Sequence, residues 1–259
     1  MNIVVKLLGL ALLALSFNSH ASDLAKEKRW ADQVVGSIMD GDAVMLNDGN
    51  SEFLGIYTEA AEDKGRAVIV MHGTGIHPDW QQVVQPLRVG LTEYNWHTLA
   101  IQMPVLRNEA EYIEYAPLYD EVTPRIEAAI EFLKDKGANN IVLVGHSQGA
   151  SMSAYSLSKN GHDVAGFVAI GMGAYADDER MNSIKALEKI KIPMLDLFGS
   201  EDLEAVMSSI DDRAAAAKKA GNRNYTQVKV PGANHMFDGK EEALVEAVAD
   251  WLEKLPAMK

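Results

Sequence analysis

The amino-acid sequence predicts an α/β fold in which helices cover both faces of a mostly parallel, doubly wound sheet that begins with an antiparallel hairpin. Continuous apolar runs such as "AVIVM", "IVLV" and "FVAI" are typical of strands that are buried on both faces. Amphipathic segments alternate with these runs, as crossover helices between parallel strands do. Near the N-terminus, Asp48-Gly49 separates two β-rich segments and is a strong hairpin signal.

The elements follow one another without a repeat or a Pro/Gly-rich linker, so we predict one domain over residues 22–259. The first helix carries Trp30, Val34 and Ile38 at four-residue spacing, which indicates a helix that packs against the domain. The predicted strands are 43–47, 52–58, 67–72, 98–103, 140–145, 164–170, 193–198 and 227–230. The predicted helices are 23–39, 79–93, 118–136, 148–159, 182–189, 203–220 and 240–255.

The first 21 residues have the pattern of a secretory signal peptide. Lys6 is their only charged residue, an apolar stretch covers 7–15, and Ser19-His20-Ala21 provides the small residues of a cleavage site. A retained membrane anchor is the alternative, but the apolar stretch is shorter than the roughly 20 residues that cross a bilayer. We therefore expect cleavage after Ala21 and a periplasmic or secreted protein that is not inserted in the membrane.

Composition excludes several kinds of chemistry and partner. The chain has no cysteine, which rules out disulfides, a thiol nucleophile and lipid attachment to a cysteine. Its formal net charge of −13 disfavours binding to nucleic acid and to anionic lipid headgroups. The sequence identifies no protein partner.

A serine lies at the centre of the motif Gly145-His146-Ser147-Gln148-Gly149, which fits G-x-S-x-G. A buried strand precedes the motif and a helix follows it, which is the context of a nucleophile elbow. A sharp turn there exposes the serine oxygen and brings the residues two before and two after it close together, so both must be small. Ser147 is therefore the predicted nucleophile.

An acid should follow a later strand, because serine, acid and histidine occur in that order in this arrangement. The segment "LDLFGSEDL" ends a strand, and Asp202 is the first choice with Glu201 second. Asp196 is expected inside the strand. Asp177 or Asp178, after the preceding strand, is a less favoured substitute.

His235, in the loop "VPGANHMF" after the last strand, is the predicted general base. His146 lies beside the serine on the elbow, where its side chain should point away from the hydroxyl, so it is assigned a structural or pocket-lining role. Three other histidines are assigned to the signal peptide, a packed strand end and a solvated loop, in the order His20, His97 and His162. His72 and His77 are harder to dismiss as alternatives to His235.

The loop "HGTGIHPDW" follows a strand and is expected to supply part of an oxyanion hole. Thr74 and Gln148 are the predicted backbone N–H donors, and the glycines at 73 and 75 allow the loop to bend. A metal site at His72, His77 and Asp79 is the alternative, but the spacing matches no known zinc signature. We expect neither a metal nor an organic cofactor.

The elbow, the His-Gly loop, Asp202 and His235 together resemble the α/β-hydrolase superfamily over about residues 42–255. The segments "FLGIYTEA", "HGTGIHPDW" and "GHSQG" more closely resemble a bacterial family of exported α/β-hydrolase-like proteins of unknown function. The resemblance implies the same roles for Ser147, His235, Asp202, Thr74 and Gln148, and it implies no substrate.

The sequence departs from many lipases and esterases in having only 172–192 where those enzymes insert a large lid. We therefore expect an open site that accepts small or partly exposed acyl groups. Five residues are candidates for lining the substrate pocket, although methionine and tryptophan near a sheet are more often core residues: His77, Trp80, Met103, Met172 and Met236.

These observations predict a serine hydrolase that cleaves a small-molecule ester, or less favourably an amide, through an acyl-enzyme. Two alternatives remain open. A noncatalytic binding or assembly protein of the cell envelope could keep the same scaffold. A serine peptidase would share the three residues and differ only in its pocket.

Overall fold

The computed structural model describes residues 22–174 and 177–255. The predicted signal peptide, 1–21, lies outside the described residues. Within them, eight strands form one sheet: β1 (Asp42–Asn47), β2 (Glu52–Thr58), β3 (Arg66–Met71), β4 (His97–Ile101), β5 (Asn140–His146), β6 (Gly166–Ile170), β7 (Met194–Glu201) and β8 (Tyr225–Asn234).

The sheet has the strand order β1-β2-β4-β3-β5-β6-β7-β8. Strand β2 is antiparallel to both of its neighbours, and every other pairing from β4 to β8 is parallel. The predicted fold class is therefore confirmed: a mostly parallel, doubly wound sheet that starts with an antiparallel hairpin. Because parallel strands end at the same edge, the loops after β3, β5, β6, β7 and β8 come together there.

The described part of the chain contains eight α-helices: α1 (Leu24–Val35), α2 (Val84–Gly90), α3 (Val122–Asp135), α4 (Gln148–Asn160), α5 (Ser183–Leu187), α6 (Glu204–Met207), α7 (Ile210–Lys219) and α8 (Glu241–Leu252). Three short 3-10 helices accompany them: Leu91–Tyr94, Tyr112–Glu121 and Glu179–Met181.

Three predicted helices differ from the observed ones. The segment 203–220 is two helices, because Ser208 and Ser209 direct their hydroxyls to the carbonyls of Glu204 and Ala205, each at 2.7 Å, at the break. The predicted helix at 118–136 starts as a 3-10 helix that contains Pro117. The segment 79–93 is helical only from Val84 onward and ends as a 3-10 turn.

Alternate residues of the central strands pack into two separate apolar layers. Val68 and Val70 of β3 face one layer, which contains side chains of α2 and α8. Ile69 and Met71 face the other layer, which contains side chains of α3, α4, α5 and α7. Both faces of the sheet are therefore covered, which explains the unbroken apolar runs of its strands.

A helix that crosses a bilayer needs about 20 mostly apolar residues. In residues 22–174 and 177–255, no helix combines the length and the apolar character that crossing a bilayer requires.

Candidate active site

Ser147 occupies the tight turn between β5 and α4. Its backbone has φ 54° and ψ −119°, a conformation that is strained for a residue with a side chain. Its N–H donates to the carbonyl of Ile170 on β6 at 2.8 Å, which ties the turn to the neighbouring strand. The strand, the turn and the helix have the arrangement that the G-x-S-x-G motif predicts.

The two glycines of the motif lie where no side chain fits. A Cβ at Gly149 would lie 2.5 Å from the carbonyl oxygens of Met71 and His72. A Cβ at Gly145 would lie 2.7 Å from the backbone nitrogen of Ala150. Helix α4 thus packs directly on the end of β3, and this close approach fixes the position of the serine.

Ser147, His235 and Asp202 form a continuous line of hydrogen bonds. His235 Nε2 lies 2.9 Å from Ser147 Oγ, and His235 Nδ1 lies 2.6 Å from Asp202 Oδ1. The Asp202 side chain is fully buried, whereas the His235 side chain is 16% exposed. An ionised Asp202 requires a proton on Nδ1, which leaves the lone pair of Nε2 to accept the serine proton.

Asp202 is held as a carboxylate by its surroundings. Burial alone would raise its pKa, but the hydrogen bond and the charge of His235, with backbone N–H groups, lower the pKa below its ordinary value. Those N–H groups belong to Leu203, at 2.8 Å from Oδ1, and Gly199, at 3.3 Å from Oδ2. The acid is therefore ionised at neutral pH and fixed in orientation.

The other acids considered from sequence lie elsewhere. Glu201 is exposed at the end of β7. Asp196 is buried inside β7, where it binds Arg213 at 2.8 Å and Tyr225 at 2.6 Å. Asp178 pairs with Arg180 at 2.8 Å, and Asp177 beside it is exposed.

Gly171, the residue directly after β6, lies against the imidazole ring of His235. Its backbone has φ 58°, and a Cβ there would lie 3.0 Å from both Cε1 and Nδ1 of His235. The ring therefore rests on bare backbone. Sequence reasoning missed this residue, and its position after an apolar strand is the only signal that could have found it.

The two predicted oxyanion donors belong to the first turn of α4 and to the loop after β3. Gln148 is the first residue of α4, so its N–H has no acceptor within the helix and lies at the positive end of the helix dipole. Thr74 is exposed in the turn after β3. Its neighbour Gly73 approaches the serine so closely that a Cβ there would lie 3.1 Å from Ser147 Cβ. Their role as donors remains a prediction.

His72 fixes the loop that carries Gly73. Its Nε2 accepts the N–H of Met103 at 2.9 Å, so Nδ1 carries the proton and donates to the carbonyl of Gly73 at 2.8 Å. Burial is the main cause that lowers its pKa to about 3. A buried, neutral histidine therefore joins the ends of β3 and β4, a role that no sequence motif indicates.

His146 points away from the serine hydroxyl and supports His235. Its Nε2 lies 3.0 Å from the His235 carbonyl oxygen, so that nitrogen carries the proton. The two rings lie 4.9 Å apart, centroid to centroid. Burial, followed by the charge of His235, lowers the pKa of His146 to about 4.

The candidate pocket residues are placed in different environments. Met103 and Met172 are buried in the apolar layer that contains α3 and α4. Met236 is half-buried beside His235. His77 packs edge-on against Trp80, with ring centroids 5.3 Å apart, and both line a cavity of about 620 Å³. None of the lining residues is Ser147, Asp202 or His235. The assignment of all five residues to a substrate pocket stays a prediction.

The residues considered for a metal site are engaged in bonds within the protein. Asp79 pairs with Arg88 at 2.6 Å, and both ring nitrogens of His72 are hydrogen-bonded to backbone. His77 Nδ1 accepts the N–H of Asp79 at 3.2 Å.

Comparison with known proteins agrees with this architecture. The chain is 26% identical over 190 residues to Protein ABHD14A of Mus musculus, which covers 73% of this chain and 71% of that protein. Its fold is similar to that of the Pyrococcus furiosus esterase Pf2001, with a TM-score of 0.68 and 17% identity over 83% of this chain and 92% of that chain.

Two further solved structures share the fold. Est1E from Butyrivibrio proteoclasticus has a TM-score of 0.63 and 15% identity over 82% of this chain and 98% of that chain. An alpha-beta serine hydrolase homologue from Coxiella burnetii has a TM-score of 0.61 and 19% identity over 82% of this chain and 99% of that chain. These similarities confirm the predicted α/β-hydrolase fold.

A sequence family described as "Protein of unknown function (DUF3530)" matches residues 21–117 and 114–254, which together cover most of the chain. The chain therefore belongs to the DUF3530 family and has the α/β-hydrolase fold.

Proposed function

We propose that the protein is a serine hydrolase that cleaves carboxylic esters of small molecules. One observation supports this most strongly: the hydrogen bonds that join Ser147, His235 and Asp202, at 2.9 and 2.6 Å. A serine is a weak nucleophile unless a base removes its proton and an acid orients that base. All three groups lie at the strand ends where α/β sheets bind ligands.

In the proposed reaction, His235 Nε2 takes the Ser147 proton while the serine oxygen attacks the carbonyl carbon of the ester. The N–H groups of Gln148 and Thr74 stabilise the negative oxygen of the tetrahedral intermediate. Asp202 stabilises the imidazolium, which then gives its proton to the leaving alcohol. Water, activated by the same imidazole, attacks the acyl-enzyme and releases the carboxylic acid and the serine.

A small or partly exposed acyl group is the proposed substrate class. Only 23 residues, 171–193, separate β6 from β7, so no large lid is inserted there. The Pyrococcus furiosus protein of similar fold is an esterase by name, which agrees with ester hydrolysis as the reaction. The exported location that residues 1–21 predict would place this activity in the periplasm or outside the cell.

An active-site-directed fluorophosphonate tests the proposal directly. The mature protein should be labelled on Ser147, and the Ser147→Ala variant should keep its fold and lose the label. A panel of short-chain nitrophenyl esters should be hydrolysed, and this variant should lose about 10⁴-fold or more in turnover. A labelled Ser147→Ala variant would refute the assignment of the nucleophile. Absence of both labelling and turnover in the parent protein would favour a noncatalytic binding protein.

A further inference from the structure

Two carboxylates pair with the guanidinium of Arg125, a buried residue of α3, and a third carboxylate lies near enough to feel its charge. Glu27 Oε2 lies 2.9 Å and Asp48 Oδ2 lies 3.4 Å from its nitrogens. The third carboxylate belongs to Glu121, whose pKa both Arg125 and Asp48 influence. The side chains of Arg125, Glu27 and Asp48 are at most 5% exposed. One positive charge therefore pairs with two buried carboxyl groups, and the half-buried Glu121 adds a third carboxyl group nearby.

The backbone N–H of Ser22 is hydrogen-bonded to the Glu121 carboxylate. It donates to Oε1 at 3.1 Å and lies 3.4 Å from Oε2. Burial raises the pKa of Glu121, and the hydrogen bonds from Ser22 act in the opposite direction. The serine itself is buried, and its hydroxyl lies 3.5 Å from Arg125. A peptide N–H supplies a hydrogen bond here but no charge.

Cleavage after Ala21 would turn this nitrogen into an α-amino group. An ammonium group has a full positive charge and three N–H donors, so it would satisfy both oxygens of Glu121 and reduce the excess of negative charge. The segment that follows is already docked. Asp23 N–H donates to the carbonyl of Val105 at 2.7 Å, and Lys26 Nζ donates to the carbonyl of Leu106 at 2.7 Å.

The same cluster is connected to the candidate active site by a short path. Arg125 donates to the carbonyl of Gln102 at 2.9 Å. The N–H of the same peptide group, on Met103, donates to His72, which in turn donates to the carbonyl of Gly73. Gly73 lies so near the serine that a Cβ on it would be 3.1 Å from Ser147 Cβ. The docked N-terminal segment thus supports the loop expected to supply the oxyanion donor.

We propose that the protein binds its own processed N-terminus: the Ser22 ammonium group pairs with Glu121, and this ion pair stabilises the loop 72–75 through Arg125 and His72. The proposal requires processing between Ala21 and Ser22 and does not require hydrolase activity.

The first measurement is the mass of the protein isolated from cells that export it. The mass should match a chain that begins at Ser22. A retained N-terminal segment, or a first residue other than Ser22, would overturn the proposal.

The second measurement compares two proteins that both begin at Ser22, one with a free amino group and one with an acetylated amino group. Acetylation keeps an N–H donor and removes the charge, so it isolates the ion pair. The free-amine form should melt about 2–6 °C higher, in the range that a domain of this size shows for a buried charge interaction. Equal melting temperatures would overturn the proposal.

Glu121→Gln completes a double-mutant cycle with the acetylation, because the substitution removes the carboxylate charge and keeps the shape of the side chain. In this variant the free and acetylated forms should melt within about 1 °C of each other. Glu131→Gln is the matched control, since Glu131 is an exposed acid on α3, the helix that begins directly after Glu121, and should leave the full difference. A difference that persists in Glu121→Gln would assign the effect to another partner and contradict the proposal.

Hydrogen exchange tests the connection to the active-site loop without any catalytic assay. Backbone amides in 72–76 should exchange about threefold or more slowly in the free-amine form than in the acetylated form. Equal exchange in the two forms would overturn the proposed effect on the loop.

Discussion

Each residue of the candidate triad is positioned by at least one group outside it. His235 is hydrogen-bonded to Asp202 through its ring, lies against His146 through its carbonyl, and rests on Gly171. Asp202 receives backbone N–H groups, and Ser147 is fixed by its bond to Ile170. The geometry is therefore determined mostly by backbone contacts, which hold reacting groups more firmly than mobile side chains do.

The first prediction separates Asp202 from its neighbour Glu201. Asp202→Asn should lower kcat for an ester substrate by about 10⁴-fold, because an amide that donates to Nδ1 would place the histidine proton on the wrong nitrogen. Glu201→Gln should change kcat by less than about twofold, because that side chain is exposed. Steady-state kinetics on both variants gives the answer. A kcat for Asp202→Asn within about twofold of the parent value would show that Asp202 does not orient the base.

The residues that carry a sequence motif could be predicted, and those that act through packing could not. Ser147, Asp202 and His235 follow from the elbow and the chain order, and the structure brings these three together. His72 and Gly171 carry no motif, because their roles depend on contacts between strands far apart in sequence. Met103 and Met172 are candidates for the substrate pocket by sequence, and the structure buries both in an apolar layer. The sequence could not separate these two possibilities, because an apolar residue near a strand end is compatible with either a pocket or the core.

At the scale of elements, the close approach of α4 to β3 is the central feature. It requires a glycine at position 149, and it aims the first turn of the helix at the serine. The elements and their order could be predicted because buried parallel strands have a simple apolar pattern. Their ends could not, since serine hydroxyls and Pro117 alter helices in ways that periodicity does not report.

The second prediction tests that approach. Gly149→Ala should lower the free energy of unfolding by about 2–3 kcal/mol, because its Cβ would collide with two carbonyl oxygens that belong to a central strand. Urea denaturation measures the change. Gly36→Ala is the matched control, since no atom lies within 4 Å of a Cβ there and φ is −78°. If both variants unfold at the same urea concentration, the elbow can relax and the contact is not restrictive.

At the scale of the whole molecule, one sheet gathers groups from five strand ends while two apolar layers hold it rigid. Two buried histidines, His72 and His146, hold the backbone around the serine at this edge. Both are neutral in the folded protein because burial lowers the pKa of each. The stability of the fold therefore depends on pH.

The third prediction follows from the sign of these shifts. An unfolded histidine binds a proton below about pH 6.5, whereas folded His146 does so only near its pKa of about 4. Between these two pH values the unfolded chain binds more protons than the folded protein does. The contribution of His146 to the free energy of unfolding therefore falls as the pH falls. Replacing it by glutamine should reduce the slope of unfolding free energy against pH, between pH 4.5 and 6, by about 1.4 kcal/mol per pH unit.

Urea denaturation of the parent and the His146→Gln variant at several pH values measures both slopes. The difference between them isolates His146, because the carboxyl groups are common to the two proteins. Parallel curves would mean that folded His146 takes up a proton as readily as the unfolded chain does.

The glycine beneath the imidazole bears on how the relatives of this protein are interpreted. A relative could keep the serine, the histidine and the aspartate and still carry a side chain at the position of Gly171. That side chain would strain the backbone and press on the ring, so such a relative is expected to lose activity while its polar residues stay intact. To distinguish active relatives from inactive ones, the residue at the position of Gly171 must therefore be considered together with the serine, the histidine and the aspartate, although it has no reactive group.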